Sequence, residues 1–258
     1  MMTHFTFLRL LLAVATLLLG PLSLAATNSY AVKVLVATPS SSSNLLLQFN
    51  QAIRWEQVLS ELAARDINPN WGQLTKPSEL AALEAERTQV LKDLHLLGQR
   101  WARQGKQDLL NSSVALAQQV RELSLVARQP VTMSYDLVRL KPRLNPLLQG
   151  DYVLTVSPRP TVVWAQGLVR VPGKRPFVAG GYAYDYARRL PLLKGGDAHQ
   201  IWIIQPDGHI LSSSVDAFAP EFVGVAPGAT LFVGFAKLPK DFADLNQRIM
   251  TLFANREI

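Results

Sequence analysis

The 258 residues include no cysteine. Disulfide frameworks, thiolate metal sites, a cysteine nucleophile and a lipidated N-terminal cysteine are therefore excluded. Histidine is scarce. Of four, the three beyond the N-terminal segment, His95, His199 and His209, do not stand at ligand spacing with one another or with carboxylates, so neither a metal site nor a cofactor is expected. The sequence also lacks G-x-S-x-G, a phosphate-cradling G-x-x-x-x-G-K and G-x-G-x-x-G, and Gly180-Gly181 and Gly195-Gly196 are isolated pairs of the kind that end helices. Charge is thin at 17%, below the roughly 25% of an average soluble chain. Hydrophobic content is 48%, enough for one large or two small cores and a poor match to disorder or coiled coil.

What charge there is leans positive: 26 Lys and Arg against 19 Asp and Glu give +7. That balance favours anionic partners without choosing among them. Arg9 precedes an apolar run from Leu10 to Leu19, which Gly20 and Pro21 break ahead of Ser23-Leu24-Ala25. These are the parts of a secretory signal peptide over 1–25, and the apolar run is too short to span a bilayer. The expectation is a mature protein acting outside the cytoplasm, with no transmembrane segment and no nucleic-acid partner.

Tyr30–Ala37 and Leu45–Phe49 read as strands around a Pro/Ser loop, and Ile53–Ala64 as a helix ended by Asn68-Pro69-Asn70. From about 76 to 128 helix formers dominate. Leu80, Leu83, Val90, Leu91, Leu94, Leu97 and Trp101 mark one stripe, and Leu109, Leu110, Val114, Leu116, Ala117, Val120, Leu123 and Leu125 a second, with Gly105 as the turn. This predicts an antiparallel helical hairpin inserted into a first domain over 26–150. Strand patterns return after Pro130: a short one over Val131–Met133, then Tyr152–Val156 and Val162–Val171. A helix over Tyr182–Leu190, a hairpin about Pro206-Asp207-Gly208 and a strand from Thr230 to Phe235 follow. The order ββαβββ predicts a second domain of β-grasp type over 151–238. The tail over 239–258 places Phe242, Leu245, Ile249, Leu252 and Phe253 on one side of a helix capped at Asp241. Those five residues are candidates either for a face docked on the rest of the chain or for one offered to a partner.

Catalysis finds little footing. Asp185, Asp197, Asp207, Asp216 and Glu221 are scattered, and although a glycosidase-like pair meets in space rather than in sequence, nothing argues for one. The chain is read as not an enzyme, with no catalytic and no metal-binding residue assigned. The basic residues are more concentrated: Arg139, Lys141, Arg143, Arg159, Arg170, Lys174 and Arg175 lie within 37 residues that hold one acid, Asp151, and the aromatics Tyr152 and Trp164. Arg139, Arg143, Arg159, Arg175, Trp164 and Tyr152 are therefore the candidate ligand-binding residues, suited to stacking and forking an acidic glycan. A solvated edge that guards exposed strands explains the same charges equally well.

Several runs resemble the GfcC family of capsule and exopolysaccharide biosynthesis proteins: Gly150-Asp151-Tyr152-Val153-Leu154, Arg159-Pro160-Thr161-Val162 leading to Gly167, Ile201-Trp202-Ile203-Ile204-Gln205-Pro206-Asp207-Gly208, and Pro227-Gly228-Ala229-Thr230-Leu231-Phe232-Val233-Gly234-Phe235. The same stretch is similar to the soluble ligand-binding β-grasp (SLBB) domains of Wza-type polysaccharide export proteins. The resemblance implies an α+β protein with two β-grasp domains, a helical hairpin insertion and a C-terminal amphipathic helix. It also implies a non-enzymatic periplasmic role in polysaccharide assembly, with the export channel, other envelope proteins or an acidic polysaccharide as partner. Members keep an arginine in a cleft ahead of the second β-grasp domain, and Val138-Arg139-Leu140 matches that neighbourhood, with Arg143 as rival. An arginine paired structurally with Asp136 or Asp151 is the alternative. Two other functions stay open: a scaffold that docks through sheet edges and the terminal helix, and a carbohydrate-active enzyme with dispersed carboxylates.

Overall fold

The computed structural model describes residues 30–38, 44–216 and 221–258; the signal peptide expected over 1–25 lies outside them. The first strands are β1 (Val32–Ala37), β2 (Leu45–Phe49) and the short β3 (Ile53–Arg54), followed by α1 (Trp55–Ala63) and β4 (Gln73–Thr75). Alternation in β1 buries Val32, Val34 and Val36, the period-two signature of a strand with one face on a core. Those residues pack with Trp55, Leu59 and Leu62 of α1, and the Trp55 indole donates to Thr132 O at 2.8 Å.

The chain then leaves this sheet for α2 (Leu80–Arg103) and α3 (Gln107–Arg121), turning at Gly105 with φ +70°. The two helices approach closely at Gly98, where a Cβ would stand 2.8 Å from Ser113 Oγ. Both predicted stripes form one interface, except that Val114 points out and is 60% exposed. After α4 (Tyr135–Leu140) and β5 (Leu147–Leu148), the strand β6 (Gly150–Thr155) closes the first sheet in the order β2-β1-β6-β4.

β6 corrects the expected boundary at 150/151. It lies parallel beside β1, with Val34 opposite Tyr152 and Val36 opposite Leu154. A strand pattern records burial but not the sheet a strand joins, and β6 is the last strand of the first unit. Three local expectations also change. Val131–Met133 is not a strand; β4 and α4 occupy stretches that periodicity left unassigned; and the strand expected over Val162–Val171 stops early as β7 (Val162–Gly167), with an unexpected strand β8 (Gly173–Pro176) beyond it folded back antiparallel on β7. The break falls at Gly167, which has φ +89° and no room for a Cβ, since one would meet Val233 O at 2.2 Å.

The second sheet adds α5 (Ala183–Ala187), β9 (Gln200–Ile204), β10 (Ile210–Ser214) and β11 (Thr230–Val233) in the order β10-β9-β11-β7-β8. β11 runs parallel to β7 and antiparallel to β9. In both sheets the first and last strands form the parallel central pair, the arrangement expected of a β-grasp fold.

The hairpin grows out of the first unit but packs on the second. Leu94, Leu97, Leu116 and Val120 share a core with Ile201, Leu231 and Phe232, and with Leu245, Ile249, Leu252 and Phe253 of α6 (Leu245–Ala254). The tail residues proposed as a partner-docking face are thus committed internally. Leu245, Ile249, Leu252 and Phe253 are at most 2% exposed, and Phe242 packs partly buried against the same core. Asp241 does not cap this helix; it lies within a single 3-10 turn (Lys240–Phe242), and Asp244 occupies the N-cap position. Among the described residues, no helix is long and apolar enough to cross a membrane.

Candidate functional site

A cleft of about 680 Å³ opens between the two units, within the range of ligand pockets at domain junctions. One wall is the turn Asn70-Trp71-Gly72 that follows α1, together with Thr132, Met133 and Ser134. The other is Gly180-Gly181-Tyr182, the hairpin turn Gln205-Pro206-Asp207 and the loop Gly224-Val225-Ala226.

Local hydrogen bonding holds each wall. Gly72 N donates to Pro69 O at 2.6 Å, which tightens the turn that presents Trp71. The Gln205 side chain spans its neighbours, donating to Gly224 O at 2.8 Å and accepting from Ala226 N at 3.1 Å. Tyr182 pairs with Gly224 as an isolated bridge, and its half-exposed ring meets Phe222 edge-on at 5.2 Å. The Arg159 guanidinium lies over the Trp71 ring at 5.8 Å, near the limit of a cation–π contact. The cleft therefore offers two flat aromatic surfaces with hydroxyl, amide and backbone groups between them. Such faces stack on the apolar side of a sugar ring while the polar groups meet its hydroxyls.

Arg128 does not line the cleft but donates to Pro206 O, one of its lining residues, at 2.7 Å. Burial, with help from the nearby Arg256, lowers its pKa to about 10, and the Nε atoms of both arginines are buried without a partner. Arg256 is depressed by burial as well. The backbone around it ties the two units together: Gln73 Nε2 donates to Arg256 O at 2.9 Å, and Val126 N donates to Asn255 O at 2.8 Å.

None of the six predicted binding residues lines the cleft, and Arg159 reaches it only through Trp71. Arg139 is on α4 over the Tyr135 ring at 5.4 Å and 3.9 Å from Glu56; neither Asp136 nor Asp151 is its partner. Arg143 is exposed on the following turn. Tyr152 is buried in β6, its hydroxyl accepting from Gln149 N. Trp164 is on β7 between Lys174 at 5.2 Å and Arg256 at 4.5 Å, beside a separate pocket of about 360 Å³. Arg175 on β8 turns back to the carbonyls of Lys174 and Val171. The basic run is close in sequence but dispersed in space, because the linker between β6 and β7 carries it from one sheet to the other.

Sequence reasoning missed Trp71 and Tyr182. A signal for Trp71 existed in Asn68-Pro69-Asn70-Trp71-Gly72, where a tryptophan inside turn chemistry has no strand or helix face to bury it. The scattered carboxylates have structural work. Asp185 accepts from Tyr182 N, Asp197 and Asp207 from backbone amides two residues ahead, and Glu221 from Ser214 N. Asp216 pairs with His199 at 2.7 Å. Asp207 is the one carboxylate among the described lining residues.

Two family models match the chain: that described as capsule biosynthesis GfcC, N-terminal, over residues 30–159, and that described as capsule biosynthesis GfcC C-terminal over 171–257. The uncharacterized protein YjbG of Escherichia coli strain K12 is 33% identical over 163 residues, which cover 62% of this chain and 66% of that relative. The aligned part therefore spans just under two thirds of the relative's length.

Proposed function

The chain belongs to the GfcC family of capsule biosynthesis proteins, and we propose that within that role it is a periplasmic, non-enzymatic accessory factor that holds a segment of capsular or exopolysaccharide glycan between its two β-grasp units. The observation that supports this reading is the cleft with Trp71 on one wall and Tyr182 on the other. With Asp207 as the one carboxylate among the described lining residues, binding is favoured over hydrolysis. The aromatic walls replace the basic run as the recognition surface, with Arg159 over the Trp71 ring at 5.8 Å.

Retention of purified polysaccharide fragments in affinity electrophoresis tests the proposal. Trp71→Ala weakens retention by about tenfold, the loss of one stacking contact of roughly 1.4 kcal/mol, while Trp164→Ala leaves it unchanged. Equal retention by the native chain and the Trp71 variant contradicts it.

Docking on a Wza-like export channel is the second reading. It is favoured by the edge strands β2 and β10, whose Leu46 and Leu211 are 49% and 44% exposed, a template for strand pairing.

A further inference from the structure

Three of the most exposed leucines fall within eleven residues on the first unit, well away in sequence from the segments that line the second unit's side of the cleft. Leu137 is 42%, Leu140 76% and Leu147 57% exposed. Leu137 and Leu140 stand three apart on α4 and share a face, while Val138 between them is buried and anchors the helix. Leu147 is held by β5, whose next residue, Leu148, is buried. The apolar side chains are thus fixed outward on a segment pinned at both ends.

Cations alternate with them. Arg139, Lys141 and Arg143 are exposed, and no acid occurs between 137 and 147. Arg54 is the register partner of Leu147 and donates to Asn145 O, adding a fourth cation at this edge. Asp136 adjoins the segment in sequence, and Glu56 is engaged by Asn145 Nδ2 at 3.2 Å and by Arg139 at 3.9 Å. Among the described residues, Lys141 and Arg143 have no carboxylate partner.

We propose that residues 137–147 form a docking surface for an anionic phospholipid bilayer. Protruding leucines among flexible cations meet the two halves of such a surface, with apolar tips entering the acyl boundary and cations at the phosphates. Pro142 and Pro146 remove two backbone donors from the segment, so it is a poor template for a strand from a protein partner. The proposal does not depend on the glycan reading. It sets the protein against a membrane through its first unit.

Flotation of the protein with vesicles tests it, comparing phosphatidylglycerol mixed into phosphatidylcholine with phosphatidylcholine alone. Binding is expected on the anionic vesicles only, weakening as salt rises. Lys141→Gln with Arg143→Gln lowers the partition coefficient by about 25-fold, roughly fivefold per cation. Leu140→Ser with Leu147→Ser lowers it by about tenfold or more. Both pairs are exposed, so the thermal midpoint stays at the native value and separates lost docking from lost folding. Equal binding to both vesicle types, no flotation, or unchanged flotation of both variants overturns the proposal. So does a native dimer that the leucine variant dissociates in the absence of lipid, since the patch would then join two copies of the chain.

Discussion

Arg248 shows how a single side chain ties the tail to the hairpin. From α6 it reaches Glu86 at 2.6 Å and Asp93 at 2.7 Å, both on α2. Burial pulls its pKa down, but the two carboxylates outweigh that and hold it above the ordinary arginine value. Arg248→Met leaves both carboxylates without their cation. A loss of about 1 to 2 kcal/mol in urea denaturation is expected, smaller than for a fully buried pair because Glu86 is partly solvated. At the opposite extreme is His199, exposed and paired with Asp216 at 2.7 Å. The hydrogen bond to Asp216 and its charge raise the His199 pKa above 6.5. A raised folded-state value means that any stabilisation from this pair is fully present below pH 6.5 and fades as pH rises through the higher folded value. An NMR titration should show the His199 midpoint above 6.5 in the native chain and returned toward it in Asp216→Asn. Identical midpoints would remove the pair from the account. Neither contact was legible in the sequence, because 17 residues separate His199 from Asp216 and more than 150 separate Arg248 from Glu86 and Asp93.

The elements were more legible than their partners. Leu94, Leu97 and Trp101 announced a helix by spacing, and Pro206-Asp207-Gly208 announced the hairpin by turn chemistry, since both signals are local. The sheet that β6 joins and the core that covers the hairpin are decided by chain segments far apart, and periodicity carries no information about them. Val131–Met133 shows the same limit at small scale: Val131 is buried, yet the stretch forms a cleft wall rather than a ladder. The tail illustrates the ambiguity of an amphipathic stripe, which reads alike whether its cover is the chain itself or a partner. With the cover identified, its removal has a defined consequence. A chain ending at Pro239 loses Leu245, Ile249, Leu252 and Phe253 from the second core, and should show exposed apolar surface by dye binding and no cooperative thermal transition for the second unit. The milder Leu252→Ala should cost about 2 to 5 kcal/mol while preserving cooperativity. A truncated chain that unfolds like the native one would show that α6 is not part of the core.

At the scale of the molecule, two β-grasp sheets are locked by a hairpin that leaves one and packs on the other, and by a tail that runs back along residues 124–128. The backbone bonds from Val126 and Glu257 and the bond from Gln73 to Arg256 O make that lock polar as well as apolar. The cleft arises from this locking. Its five lining segments, near residues 70, 133, 181, 206 and 225, become neighbours only when both units are in place, which is why charge and composition pointed to a basic run that the fold then dispersed. The central claim is that this junction holds glycan through Trp71 and Tyr182. The most direct test is to follow the five tryptophan indole signals by NMR while capsular or exopolysaccharide fragments are added. The account predicts a saturable shift of Trp71 alone, abolished in Tyr182→Ala if both walls share the ligand. A shift centred on Trp164, or none at any tryptophan, would contradict it.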